Sequence, residues 1–139
     1  MFNRISVQSM MKYRYTALLV LHILIIQVYG QQQRLDSLKA LAETVTEDTT
    51  RVRILNELAG LLYRTDPELA IKYSGDARTI AEQVDDRPGL AEAYKNLGLG
   101  HYMLSDYESA LRYWNPSLGI FQALGDERMV ANIVGNQGS

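Results

Sequence analysis

The residues that could do chemistry are few and poorly arranged for it. Histidine occurs twice, and past residue 30 the sole histidine is His101. No second imidazole and no cysteine stands with it, so a transition-metal site lacks its usual nitrogen and sulfur donors. Ser105 and Asp106 follow closely, but their spacing matches a turn and not a nucleophile–base–orienter arrangement. Gly98-Leu99-Gly100 is not followed by the Gly-Lys-Ser/Thr that a phosphate-cradling loop requires. Asp85-Asp86 and Glu47-Asp48 are adjacent carboxylates of the kind that cap helices, with no partner for general acid–base work. The absence of cysteine also excludes a disulfide framework, a thiol nucleophile and a lipid-modified cysteine anchor. No catalytic residue, no cofactor site and no metal site is expected, and the chain is read as a non-enzyme.

The elements that would position these residues begin with a charge asymmetry. The 139 residues are 47% hydrophobic and 22% charged, an ordinary globular composition. Residues 1–30 hold Arg4, Lys12 and Arg14 and no acid, which leaves the remainder acidic overall. A net negative body argues against nucleic acid as a partner, because phosphate binding needs a basic face. Lys12 and Arg14 precede an apolar run, Ala17 to Ile26, and Val28-Tyr29-Gly30 then offers modest side chains for signal peptidase. The stretch from Thr16 to Tyr29, interrupted by His22 and Gln27, falls short of the roughly 20 residues of a membrane span. Residues 1–30 are therefore expected to be a secretory signal cleaved before Gln31, with Met10 or Met11 an alternative start. The product would be exported, periplasmic or secreted, and would touch a membrane only through the signal or through a later segment.

From residue 31 the sequence is helical and repetitive. Ala91, Asn96 and Gly98 recur forty residues later as Ala131, Asn136 and Gly138. Asp66, Glu68, Ala70, Tyr73 and Ile80 recur at the same spacing as Asp106, Glu108, Ala110, Tyr113 and Ile120. Leu58-Ala59 matches Leu97-Gly98 at thirty-nine, which places a turn one residue shorter in the first copy. Within a copy, Val52, Leu55, Leu58, Ala59 and Leu62 form one apolar helical stripe. Asp66-Pro67 starts a second helix, with Asp as cap and Pro where no N–H is needed. That helix turns Ala70, Ile71, Ser74, Ala77, Ile80, Ala81 and Val84 inward, and Asp85 to Gly89 breaks it. In the second copy Tyr94, Leu97, Gly98 and His101 share a face, and Ala110, Trp114, Ser117, Leu118 and Phe121 point inward from the next helix. Leu35, Leu38, Leu41, Ala42 and Val45 predict a leading helix within residues 31–50 that covers the end of the stack. The repeats then run 51–90, 91–130 and a third copy cut at 131–139. Pro116 falls inside the last full helix and predicts a kink, or a helix starting anew there.

Tyr94-x-x-Leu97-Gly98-x-x-His101 followed by Ala110-x-x-x-Trp114 resembles the signature of the tetratricopeptide repeat family. Small residues at Gly98 and Ala110 let two helices approach, and aromatic side chains fill the space beside them. The period is forty instead of about 34, His101 and Gln137 replace an expected Tyr and Leu, and the closing proline is missing. The resemblance implies an all-α fold, with antiparallel helix pairs stacked as a right-handed α-solenoid behind the signal-peptide helix. It also implies a protein or peptide partner, held on a concave face lined by the first helix of each repeat. On this chain that face would present Arg53, Asn56, Gly60, Tyr63 and Arg64, then Lys95, Asn96, Leu99, Tyr102 and Met103. Asparagine can hold a peptide backbone, and Lys and Arg can pair with acids. Two roles remain open: an exported interaction scaffold, or the extracytoplasmic sensor part of a longer membrane signalling protein whose kinase, cyclase or transcriptional output lies elsewhere. A solenoid cut in its third copy has an uncovered end, so a fragment of a longer protein or a truncated gene product is expected, with Trp114, Leu118 and Phe121 partly exposed where the chain stands alone.

Overall fold

The structure, a computed structural model, describes residues 4–138, and those residues are helical with short turns and no strand. Contacts divide the chain into two compact units, Met1–Ser37 and Leu38–Ser139.

The first unit is formed by α1, Arg4–Thr44, whose last turns from Leu38 belong to the second. By length and composition the stretch Val7–Thr44 could cross a membrane, and its most apolar window is wholly unburied. Of the apolar stripe expected to cover the stack, only Ala42 is buried, whereas Leu41 is exposed. The leading helix also stops at Thr44, and the next one starts at Asp48, earlier than the repeat boundary read from the sequence. Glu47 explains that start. Its carboxylate accepts the Thr50 N–H at 2.8 Å, satisfying one backbone donor that the first turn leaves open, and also accepts the Thr49 hydroxyl. Those two bonds hold the Glu47 carboxyl below its ordinary titration range.

The second unit continues with α2 Asp48–Leu62, α3 Pro67–Gln83, α4 Arg87–Met103, α5 Tyr107–Leu124 and α6 Glu127–Gln137. Each of these packs on the next, and α2 also meets α4. The four later starts use one device. Asp66, Asp86, Asp106 and Asp126 each accept the N–H three residues on, at 2.9–3.2 Å. Asp85 and Gly125, forty residues apart, share a left-handed backbone at the same turn (φ 55° and 72°).

Burial follows the helical stripes. Val52, Leu58, Ala70, Ala77, Ala81, Ala91 and Ala110 are fully closed to solvent. Val84, expected inward, caps the end of α3 and is exposed. Trp114 and Phe121 are not left open as the sequence suggested: they are 2% and 5% exposed, in a cluster with Ile133 of α6 and Met129 and Val130 beside it. The short amphipathic helix α6, about three turns long and with Ile133 on its inner face, is enough to close over them. Leu118 remains half-buried.

The helix does not restart at Pro116. α5 runs unbroken from Tyr107 to Leu124 with the proline inside it. Pro116 and Arg112 are both exposed, so the Arg112 carbonyl that loses its intrahelical donor can bond to water. Ser117 and Trp114, on the opposite side, anchor the helix through bonds to the carbonyls of Ala91 (2.7 Å) and Lys95 (3.2 Å).

Candidate functional site

Helix α4 packs on α3 and α5 and also meets α2, and its small residues let α3 and α5 approach. A Cβ added at Gly98 would come within 2.1 Å of Trp114 Nε1, and one at Gly100 within 2.5 Å of Ile71 Cγ1. Gly98-Leu99-Gly100 thus serves helix packing inside α4 and forms no loop.

Three hollows open along the repeat unit. The larger one, about 760 Å³, lies between α2, from Thr49 to Leu61, and the start of α4, and includes Arg53, Asn56 and Gly60 among the expected surface residues. A second, about 280 Å³, gathers Tyr63, Arg64, Leu99, Tyr102 and Met103 with Trp114 and Asn136. A third hollow of about 240 Å³ shares Tyr102, Trp114 and Asn136 and adds Tyr107 and Leu111. Tyr102 lines both of these, its ring 5.4 Å from that of Tyr107 and 5.8 Å from that of Trp114. Arg64 donates from Nε to the Tyr63 hydroxyl at 2.7 Å and lies 5.3 Å from that ring's centre. The smaller hollows are therefore aromatic with polar edges, suited to an apolar or aromatic side chain.

The two asparagines have other duties. Asn96 is 1% exposed, and its Nδ2 donates to the Asn56 carbonyl at 3.1 Å. Asn56 is itself buried and donates from Nδ2 to the Gly89 carbonyl at 2.9 Å. These bonds tie α4 to α2 and spend much of the hydrogen-bonding capacity that the sequence reading reserved for a peptide. Asn56 Oδ1 is left without a partner among the described residues, a state that costs about 1–3 kcal/mol for a buried acceptor. Lys95 is ion-paired with Glu92, and its side chain is 14% exposed, so it contributes little free charge to the surface.

Sequence reasoning overlooked most of the larger hollow. Thr49, Thr50, Glu57, Leu61, Asp86, Pro88, Gly89 and Glu92 also line it. The signal available was Asp86-Arg87-Pro88-Gly89, a helix start bearing a glycine that no side chain could replace: a Cβ there would meet Asp86 Oδ2 at 2.2 Å and Val52 Cγ1 at 2.5 Å.

His101 is a packing residue. Its ring stacks 5.3 Å from Tyr113, and Nδ1 lies 3.0 Å from Asp106 Oδ2. The Asp106 carboxyl is held below its ordinary range, first by the hydrogen bonds from Ser109 and then by His101. Tyr94, also stacked on Tyr113 at 6.3 Å, donates its hydroxyl to Glu82 at 3.2 Å. Partial burial and the Glu82 carboxylate raise the Tyr94 phenol above its ordinary value. Among the described residues no group of three His, Cys, Asp or Glu side chains could hold a metal ion.

The stacked helix pairs and the surface they present define an α-helical repeat solenoid. A tetratricopeptide repeat family model matches residues 50–123, more than half of the chain, and the protein belongs to that family. No curated protein matches the chain. Repeats of this family are protein–protein interaction modules and typically non-catalytic scaffolds.

Proposed function

We propose that this protein is an exported interaction scaffold that holds a peptide or protein segment across α2, α4 and α6. The observation that carries the reading is the convergence of Tyr63, Arg64, Leu99, Tyr102 and Met103, from two repeats, on one aromatic hollow. Half-buried tyrosine rings beside a cation offer contact area at small entropic cost, which is what a segment-binding surface needs. Selection of short random-sequence peptides on the full chain tests it. Peptides should be recovered whose binding weakens about tenfold or more in Tyr102→Ala, the scale of a buried aromatic anchor. Recovery of no such peptide sinks the reading.

Export rests on the basic flank and apolar run of residues 1–30. Fused ahead of a phosphatase that is active only outside the cytoplasm, residues 1–36 should direct activity there and be trimmed before Gln31. The length and apolarity of α1 also favour a second reading, in which the helix stays as an anchor and the repeats are the extracytoplasmic sensor part of a longer signalling protein. A fusion recovered in membranes with its first residues intact supports the anchor, and a trimmed soluble product removes it.

A further inference from the structure

The hollow that gathers Tyr63, Tyr102 and Trp114 also contains a readily oxidised atom, the thioether sulfur of Met103. The chain has no cysteine, so methionine carries all of its sulfur. The second unit holds two methionines, and they are placed differently. Met103 ends α4, is 41% exposed and lines the hollow. Met129 is half-buried and packs on the core cluster of Trp114, Phe121 and Ile133. Oxidation follows exposure, so Met103 is the more reactive of the two. Met10 and Met11 are exposed as well, but they fall within residues 1–30, which the export reading removes.

A peroxide oxidises a thioether by transferring one oxygen. The sulfur lone pair takes that oxygen, the O–O bond breaks, and the other oxygen picks up the displaced hydroxyl proton and leaves as water. Sulfur loses two electrons to become a sulfoxide, and the peroxide gains them. The side chain changes from flexible and apolar to polar, with an oxygen that accepts hydrogen bonds. Water and the Arg64 guanidinium, which lines the same hollow, are donors at hand for it. An apolar side chain entering from a partner would strip that oxygen of donors, and burying an unpaired polar group is costly.

We propose that Met103 is an oxidation site through which peroxides weaken the hold of the aromatic hollow on its segment. The inference rests on the peptide-binding reading above.

The test treats the full chain with hydrogen peroxide, removes the peroxide, and then measures binding of a selected peptide that depends on Tyr102. Peptide mass spectrometry should find the added oxygen on Met103 well before Met129. Binding should weaken about tenfold as Met103 is converted, the scale of one polar group buried without a partner. Methionine sulfoxide reductases should restore it. Met103→Leu, whatever its starting affinity, should bind equally well before and after peroxide, whereas Met129→Leu should respond as the parent does. Unchanged binding with Met103 fully oxidised overturns the inference and leaves the scaffold reading standing. So does a Met103→Leu chain that still loses affinity, or oxidation that reaches Met129 first. A library that yields no Tyr102-dependent peptide removes both. The oxidation and repair steps need only the unaltered chain, so misfolding of either variant would not rescue the proposal.

Discussion

Gly98→Ala adds one methyl group to a helix and should nevertheless destabilise the protein. The new Cβ would lie 2.1 Å from Trp114 Nε1, 2.2 Å from Cδ1 and 2.8 Å from Cε2. Carbon atoms pack comfortably at about 3.5–4.0 Å, so the ring would have to retreat by more than about 1 Å. It has nowhere convenient to go. Trp114 is 2% exposed, donates to the Lys95 carbonyl at 3.2 Å and packs against Tyr102. Overpacking costs about 1–3 kcal/mol, and loss of the indole hydrogen bond about 0.5–1.5 kcal/mol. Replacing glycine by alanine inside a helix returns about 1 kcal/mol. The net expectation is a loss of about 1–3 kcal/mol. Gly75→Ala is the internal control, because a Cβ there meets nothing within 4 Å, so only the helix-forming gain remains and stability should rise by about 0.5–1 kcal/mol. Urea unfolding followed by far-UV circular dichroism and by the fluorescence of Trp114, the one tryptophan, measures both. If Gly98→Ala proves as stable as Gly75→Ala, close approach of the indole is not what requires glycine.

Three further substitutions probe the same framework. Asn96→Ala removes the bond from Nδ2 to the Asn56 carbonyl and should lower the urea midpoint by an amount equivalent to about 1–3 kcal/mol, with little change in the slope of the transition. Pro116→Ala should act in the opposite direction, stabilising by up to about 3 kcal/mol, since it restores a donor to the Arg112 carbonyl at an exposed position; an unchanged midpoint would show that the helix has already absorbed the cost. Asp106 contributes to acid sensitivity. Its folded carboxyl titrates below the ordinary 3.8, so its contribution is fully present above that value and is lost as pH falls through the lower folded one. Asp106→Asn keeps an acceptor for the Ser109 N–H, and its stability should fall less steeply than that of the parent as urea midpoints are followed into acid.

Local features could be read from the chain because their causes are local. Asp66 and Asp106 cap helices by reaching an N–H three residues away, and such a bond needs no knowledge of the rest of the molecule. The forty-residue recurrence, the inward stripes through Ala70 and Ala110, and small residues facing Trp114 follow from helical periodicity and from side-chain size, so the all-α repeat fold was legible. The roles of Asn56 and Asn96 were not. Both lie on the face that a helical wheel assigns to a ligand, yet their carboxamides bond to backbone 33 and 40 residues away. Whether a polar side chain at the edge of a stripe meets solvent or a neighbouring backbone depends on interhelical distance, and packing sets that distance. The same reason hid the larger hollow. Glu57 and Glu92 are unremarkable in sequence, and only the close approach of α2 to α4 turns them toward one space with Asn56 and Gly89. Sequence alone determined the repeat helices from α2 to α6, their order and the aspartate caps at Asp66 and Asp106. The tertiary structure decided which polar groups hold helices together and which remain for a partner, because that choice is made between segments far apart in the chain.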